Sequence, residues 1–69
     1  MEISARNQLK GKIKSVKLGS IMAEVVIELT SGEEITAAIT RGSAEGLGLA
    51  VGDDAVAIIK STEIIIGKN

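Results

Sequence analysis

The sequence lacks the residues from which most catalytic and metal-binding sites are built. Among its 69 residues there is no His, Cys, Trp, Tyr, Phe or Pro. Without His or Cys, the usual zinc ligands and the usual pair of nucleophile and base are missing. Without aromatic residues, there is no stacking platform of the kind that binds single-stranded nucleic acid. The composition therefore favours a binding protein over an enzyme.

The sequence also lacks a large net charge and a long apolar run. Eight basic and nine acidic residues give a formal net charge of −1, whereas proteins that bind nucleic acid or anionic membranes normally carry a basic excess. No apolar run approaches the ~20 residues of a membrane span. Arg6, Asn7, Gln8 and Lys10 interrupt the stretch where a signal peptide would have its apolar region. We therefore expect a cytoplasmic protein with neither nucleic acid nor a membrane as partner.

The length predicts one small domain, residues 1–69. Domains of this size usually need a disulfide, a metal or self-association for comfortable stability. Because Cys and His are absent, self-association is the remaining route. In two segments, Ile58-Ile59 and Ile64-Ile65-Ile66, the apolar residues are consecutive. A strand with one solvent-exposed face would alternate apolar and polar residues instead. We expect them to be buried by both the core and a partner subunit.

The pattern of apolar residues and turns predicts an all-β fold. Alternating and β-branched segments indicate strands at residues 3–17, 21–30, 34–40, 55–60 and 63–67. A short helix is expected at residues 42–47, with Ser43 as its N-cap. Five strands, with one short helix between the third and the fourth, predict a small OB-like barrel.

Two polar clusters near the chain ends contain the candidate binding residues. Ser4 and Arg6 form the first cluster, and Lys60 and Ser61 form the second. A tetrahedral dianion accepts hydrogen bonds and donates none, so its site needs donors and few carboxylates. A guanidinium fork, an ammonium and two hydroxyls meet that need. Taken alone, the first cluster is better explained as an exposed strand edge and the second as a polar break between strands.

The order of several short segments resembles a known family, the molybdate-binding Mop domain, and a domain of this length is similar to the molbindins. The Ser-Ala-Arg-Asn segment alone is a weak match, but in order with a distant Lys-Ser-Thr segment it is specific. The resemblance runs along essentially the whole chain. The segments that carry it are Ser4-Ala5-Arg6-Asn7 with Gly11, Val16-Lys17-Leu18-Gly19-Ser20, Ala23-Glu24-Val25, Ile39-Thr40 and Lys60-Ser61-Thr62.

This resemblance implies a ligand, a site and an assembly. The ligand would be molybdate or tungstate, with no further cofactor and no metal cation bound directly by side chains. Molbindins form hexamers, arranged as trimers of dimers, with oxyanion sites between subunits. By position, the side chains of such a site are Ser4, Arg6, Lys60 and Ser61. Backbone N–H groups of the turn at Ser20, Ile21 and Met22 from a neighbouring subunit would complete it.

The resemblance also has limits. Family members often have Asn where this chain has Met22, which leaves a backbone contact there. A second class of site near the three-fold axis is known in the family, and no residue of this chain is assigned to it.

The implied role is storage and homeostasis of the oxyanion. The alternative is a regulatory or structural OB-like module that senses an oxyanion for a transporter or a transcription regulator. A start at Met1 and an end soon after the last predicted strand favour the first of these. Enzymatic activity is not expected, because no catalytic group of residues is present.

Overall fold

A computed structural model describes all 69 residues. The chain folds into one curled, four-stranded antiparallel sheet with a short helix. The strand order across the sheet is β3-β2-β1-β4. A 3₁₀ turn, Ser61–Glu63, follows the last strand. The elements are β1 (Asn7–Leu18), β2 (Met22–Leu29), β3 (Glu34–Thr40), α1 (Arg41–Gly46) and β4 (Asp54–Ile59).

The long strand β1 organises the sheet because it pairs with two neighbours. Its residues 7–12 pair with β4, and its residues 11–18 pair with β2. The register with β2 shifts between Ile13 and Ser15, and such a bulge bends a strand and increases its twist. A side-chain Cβ at Gly11 would lie 2.4 Å from the Glu28 carbonyl oxygen. The sheet therefore curls where β1 changes from pairing with β4 to pairing with β2. Gly11 permits the close approach of β1 to the β2 backbone at that point.

The core lies on one face of the sheet, as the alternation in β2 requires. Ala23, Val25 and Ile27 are buried, while Glu24 and Glu28 between and beside them are exposed. Ile13 and Ala57 complete the buried apolar set across β1 and β4. An open apolar groove of about 1090 Å³ lies over this face. A single chain thus covers its own core only in part.

The all-β, OB-like prediction is confirmed, with corrections to three elements. The sheet has four strands and not five, because residues 64–69 pair with nothing in this chain. The first strand begins at Asn7 rather than at residue 3. The helix begins at Arg41, and its N-cap is Thr40, whose Oγ1 accepts a hydrogen bond from the Ser43 N–H at 3.0 Å. The single helix has six residues, so no helix here has the length to cross a membrane.

Candidate functional site

The two polar clusters predicted from the sequence lie at the same end of the sheet. Asn7 is the register partner of Ile59 in the antiparallel β1–β4 pair. Residues just before β1 and just after β4 therefore leave the sheet together. This topology brings Ser4 and Arg6 to the same end as Lys60 and Ser61, although more than fifty residues separate the clusters along the chain. We call this group of four residues the terminal cluster.

Asn7 ties the two halves of the terminal cluster together. Its Nδ2 donates to the Ile59 carbonyl oxygen at 3.2 Å and to Ser61 Oγ at 3.5 Å. A hydroxyl oxygen that accepts one hydrogen bond keeps its own proton available for another acceptor. On the other side, Gln8 Nε2 donates to the Ala5 carbonyl oxygen at 2.8 Å, which anchors the segment that carries Arg6. Sequence reasoning did not assign Asn7 a role, although it belongs to the Ser-Ala-Arg-Asn segment.

The cations of the terminal cluster have no acidic partner within the chain. Arg6 and Lys60 form no ion pair, whereas Lys12 and Lys14 of β1 are paired with carboxylates. Lys12 Nζ lies 2.7 Å from Asp54 Oδ1, and Lys14 contacts Glu34. The two cations of the terminal cluster are therefore available to an external anion, on a chain whose net charge is −1.

The ion pairs along β1 shift the ionisation of their members. The hydrogen bond from Lys12, together with its charge, lowers the pKa of the Asp54 carboxyl. The same contact raises the pKa of Lys12, and Glu34 raises the pKa of Lys14 through a hydrogen bond and its charge. All of these groups are exposed, so the pairs add little to stability. No three His, Cys, Asp or Glu side chains are grouped as a metal site would require.

The predicted backbone donors lie in the turn between β1 and β2, which we call the β1–β2 turn (residues 19–22). The Gly19 N–H donates to the Met22 carbonyl oxygen at 2.7 Å and closes the turn. A Cβ at Gly19 would lie 2.8 Å from that same oxygen. Neither Ser20 nor Ile21 donates its N–H to any backbone acceptor. Two adjacent N–H groups of the turn are thus open to an outside acceptor.

The terminal cluster and the β1–β2 turn do not meet within one chain. They flank opposite ends of β1, which has 12 residues. A strand of that length spans up to about 40 Å, and the longest dimension of the molecule is 36 Å. The structure therefore brings the four side chains of the terminal cluster to one end and leaves Ser20, Ile21 and Met22 at the other.

A residue that the sequence reasoning missed contacts the β1–β2 turn. Arg41, at the junction of β3 and α1, donates its backbone N–H to the Ile21 carbonyl oxygen at 2.8 Å. Its Nη1 donates to the Gly19 carbonyl oxygen at 3.2 Å. The β2–β3 register, in which Met22 pairs with Thr40, predicts this neighbourhood. Extending that hairpin register by one residue beyond the strands places Arg41 opposite Ile21.

Comparison with known proteins gives the same fold in small molybdenum-binding proteins. Residues 3–66 match the TOBE domain. Molybdenum-pterin-binding protein 3 of Clostridium pasteurianum is 50% identical over 66 residues, which cover 96% of this chain and 97% of that protein. The structure of MopII from the same organism has a TM-score of 0.93 and 46% identity, covering 97% of this chain and 100% of that one. The structure of a molybdate-binding protein from Sporomusa ovata has a TM-score of 0.92 and 40% sequence identity, and the match covers 99% of this chain and 100% of that one.

The same domain also occurs inside longer proteins. The molybdenum transport protein ModE of Azotobacter vinelandii is 41% identical over 66 residues, which are 96% of this chain and 24% of ModE. The small proteins, in contrast, match over nearly their whole length. By its sequence and its OB-like fold, the chain belongs to the TOBE-domain family, among the small molybdenum-pterin-binding (Mop) proteins.

Proposed function

We propose that this protein reversibly binds molybdate, and tungstate with it, as a tetrahedral oxyanion. The observation that carries the proposal is the terminal cluster, where two cations without acidic partners lie at the same end of the sheet as two serine hydroxyls. The similar proteins from Clostridium pasteurianum and Sporomusa ovata are named for binding molybdenum-pterin and molybdate, which supports this ligand.

Each residue of the cluster has a distinct role in the proposed site. Arg6 offers two parallel N–H donors that match two oxygens of the anion, and Lys60 offers a compact charge. Ser4 and Ser61 add O–H donors. Each charge-assisted hydrogen bond contributes about 1.5–3 kcal/mol, so four of them support micromolar binding after the costs of association. None of these roles is catalytic, and we propose a binding protein that is not an enzyme.

We propose that the site is completed between subunits. Ser20, Ile21 and Met22 of a neighbouring copy would supply backbone N–H donors, as the family resemblance implies. Support comes from the separation of the β1–β2 turn from the terminal cluster along β1 and from its open N–H groups. Because the β1–β2 turn of a chain cannot reach the terminal cluster of the same chain, the backbone donors would have to come from another copy.

Exposed apolar surface supports self-association. The groove over the core is lined by residues of all four strands, including Ile35, Val56 and Ile58. The segment after the 3₁₀ turn exposes Ile65 at 93% and Ile66 at 86%. Contiguous apolar surface of this kind marks interaction sites. We propose a homo-oligomer, a hexamer built as a trimer of dimers, in which residues 1–69 form one binding domain.

The proposed physiological role is storage and homeostasis of the oxyanion in the cytoplasm. A second role has support from the match to part of ModE, in which a domain like this one belongs to a longer molybdenum transport protein. In that alternative, the domain senses the oxyanion for a transporter or a regulator. Elemental analysis of the protein purified from its own host would distinguish a loaded store from an empty sensor.

Two measurements test the binding proposal. Calorimetric titration with molybdate, tungstate and sulfate should give micromolar or tighter binding for the first two and weaker binding for sulfate. Native mass spectrometry at micromolar protein should show hexamers and little monomer. Equal affinity for sulfate would contradict a site selective for molybdate, and a stable monomer that still binds molybdate would contradict the intersubunit site.

A further inference from the structure

Arg41 contacts two carbonyl groups of the β1–β2 turn, those of Ile21 and Gly19. Its backbone N–H bonds to the Ile21 carbonyl oxygen at 2.8 Å, and its Nη1 bonds to the Gly19 carbonyl oxygen at 3.2 Å. Glu45, one helical turn later, holds the guanidinium from the other side, with Nε 3.5 Å from Oε2. The side chain therefore bridges the start of α1 and the β1–β2 turn.

The direction of the Ser20 N–H follows from the contact to Gly19. In a trans peptide, the carbonyl of one residue and the N–H of the next point in opposite directions within one plane. Because the Gly19 carbonyl points to Arg41, the N–H of Ser20 points away from Arg41. That N–H has no backbone acceptor within the chain. The contact thus presents a free donor outward.

Helix stability does not explain an arginine at this position. Arg41 is the first residue of α1, where the positive end of the helix dipole disfavours cations. The first turn of α1 contains no acidic residue that would reverse that effect. A half-exposed ion pair with Glu45 contributes little to folding. The contact with the β1–β2 turn is the interaction that distinguishes this arginine from an ordinary surface residue.

We propose that Arg41 is a positioning residue for oxyanion binding, which holds the Gly19 carbonyl so that the Ser20 N–H is presented to the anion bound by a neighbouring subunit. This inference rests on the proposed function and deepens it. Arg41 does not need to touch the anion, since it acts through the peptide between Gly19 and Ser20.

The test compares Arg41→Leu with Lys12→Leu, since each substitution removes an exposed cation that is paired with one carboxylate. Molybdate affinity is measured by calorimetry at fixed salt, and the Ser20 amide is followed by ¹⁵N NMR during the same titration. Loss of one hydrogen bond should weaken molybdate binding by roughly 3- to 15-fold in Arg41→Leu. The shift of the Ser20 amide on binding should shrink. Lys12→Leu should bind within about 2-fold of the unsubstituted protein.

Arg41→Lys separates positioning from charge and serves if Arg41→Leu does not fold. It keeps the cation but loses the fork that contacts Gly19 and Glu45 together, so affinity should stay below that of the unsubstituted protein. Full affinity in Arg41→Lys, or an unchanged Ser20 shift in Arg41→Leu, would overturn the positioning role. If the unsubstituted protein does not bind molybdate, the proposed function itself fails, which is a different result.

Discussion

The two ends of β1 present donors in different ways. At the end where β1 begins, the terminal cluster consists of side chains, with two cations and two hydroxyls brought to the same end of the sheet by β1–β4 pairing and with Ser61 bonded to Asn7. At the end where β1 finishes, the β1–β2 turn offers backbone N–H groups held by Arg41. Side chains supply charge, and backbone amides supply fixed direction. The comparison indicates that affinity should depend mainly on the first end and geometric fit on the second.

The largest effect is expected from removing charge at the terminal cluster. Arg6→Ala should weaken molybdate binding by about 2 kcal/mol or more, because it removes a charge and two aligned donors from a site that the proposed neighbouring subunit would shield from water. Lys60→Ala should act similarly. Lys12→Ala and Lys14→Ala, at exposed and ion-paired positions, should change binding by less than ~0.5 kcal/mol. If calorimetry shows four equal losses, the attraction is diffuse and the terminal cluster is not the site.

A backbone change at the other end should have a smaller effect. In Gly19→Ala, the new Cβ would lie 2.8 Å from the Met22 carbonyl oxygen, so the β1–β2 turn must shift. A misdirected amide should cost about 1–1.5 kcal/mol of molybdate binding. The matched control is Gly46→Ala in α1, where a Cβ meets nothing within 4 Å. Unchanged binding in Gly19→Ala would mean that the turn plays no part.

The link between the halves of the terminal cluster should contribute least among the substitutions. Asn7→Ala removes the bonds to the Ile59 carbonyl and to Ser61 Oγ, and the expected loss of molybdate binding is about 0.5–1.5 kcal/mol. A double-mutant cycle with Ser61→Ala separates the effects. If Asn7 acts through Ser61, its effect should shrink in the Ser61→Ala background. Additive losses would show that Asn7 only supports the fold.

Changing the pH between about 6 and 8 should have almost no effect on molybdate affinity, whether the donors lie at the beginning or at the end of β1. The chain has no His or Cys, the side chains that ordinarily titrate in this range. The pKa shifts in the ion pairs of β1 also move those groups away from this pH range. Asp54, with its pKa lowered by Lys12, contributes stability above its unfolded pKa and loses it only in acid. Lys12 and Lys14, with raised pKa values, lose their contribution only in strong alkali. A steep change in molybdate affinity between pH 6 and 8 would contradict the proposed donor set.

Strands and turns were largely predictable because they depend on local sequence. The alternation in β2 and the Ser31-Gly32-Glu33 turn locate β2 and β3 within a residue or two of their observed ends. Residues 63–67 were predicted as a fifth strand because Ile64, Ile65 and Ile66 are β-branched and apolar. A strand also needs a partner, however, and the single chain supplies none there. Local propensity alone cannot reveal a missing neighbour.

The sequence by itself determined the fold class, the family and the kinds of side chain available to the site. Those follow from composition, from periodicity and from short segments in a fixed order. Only the tertiary structure decided which residues act on one another across the chain: Asn7 with Ser61, and Arg41 with Gly19. It also decided that the terminal cluster and the β1–β2 turn lie at opposite ends of β1. Such contacts depend on strand register and on the curl of the sheet, and those are set by many weak packing terms together rather than by any local stretch of residues.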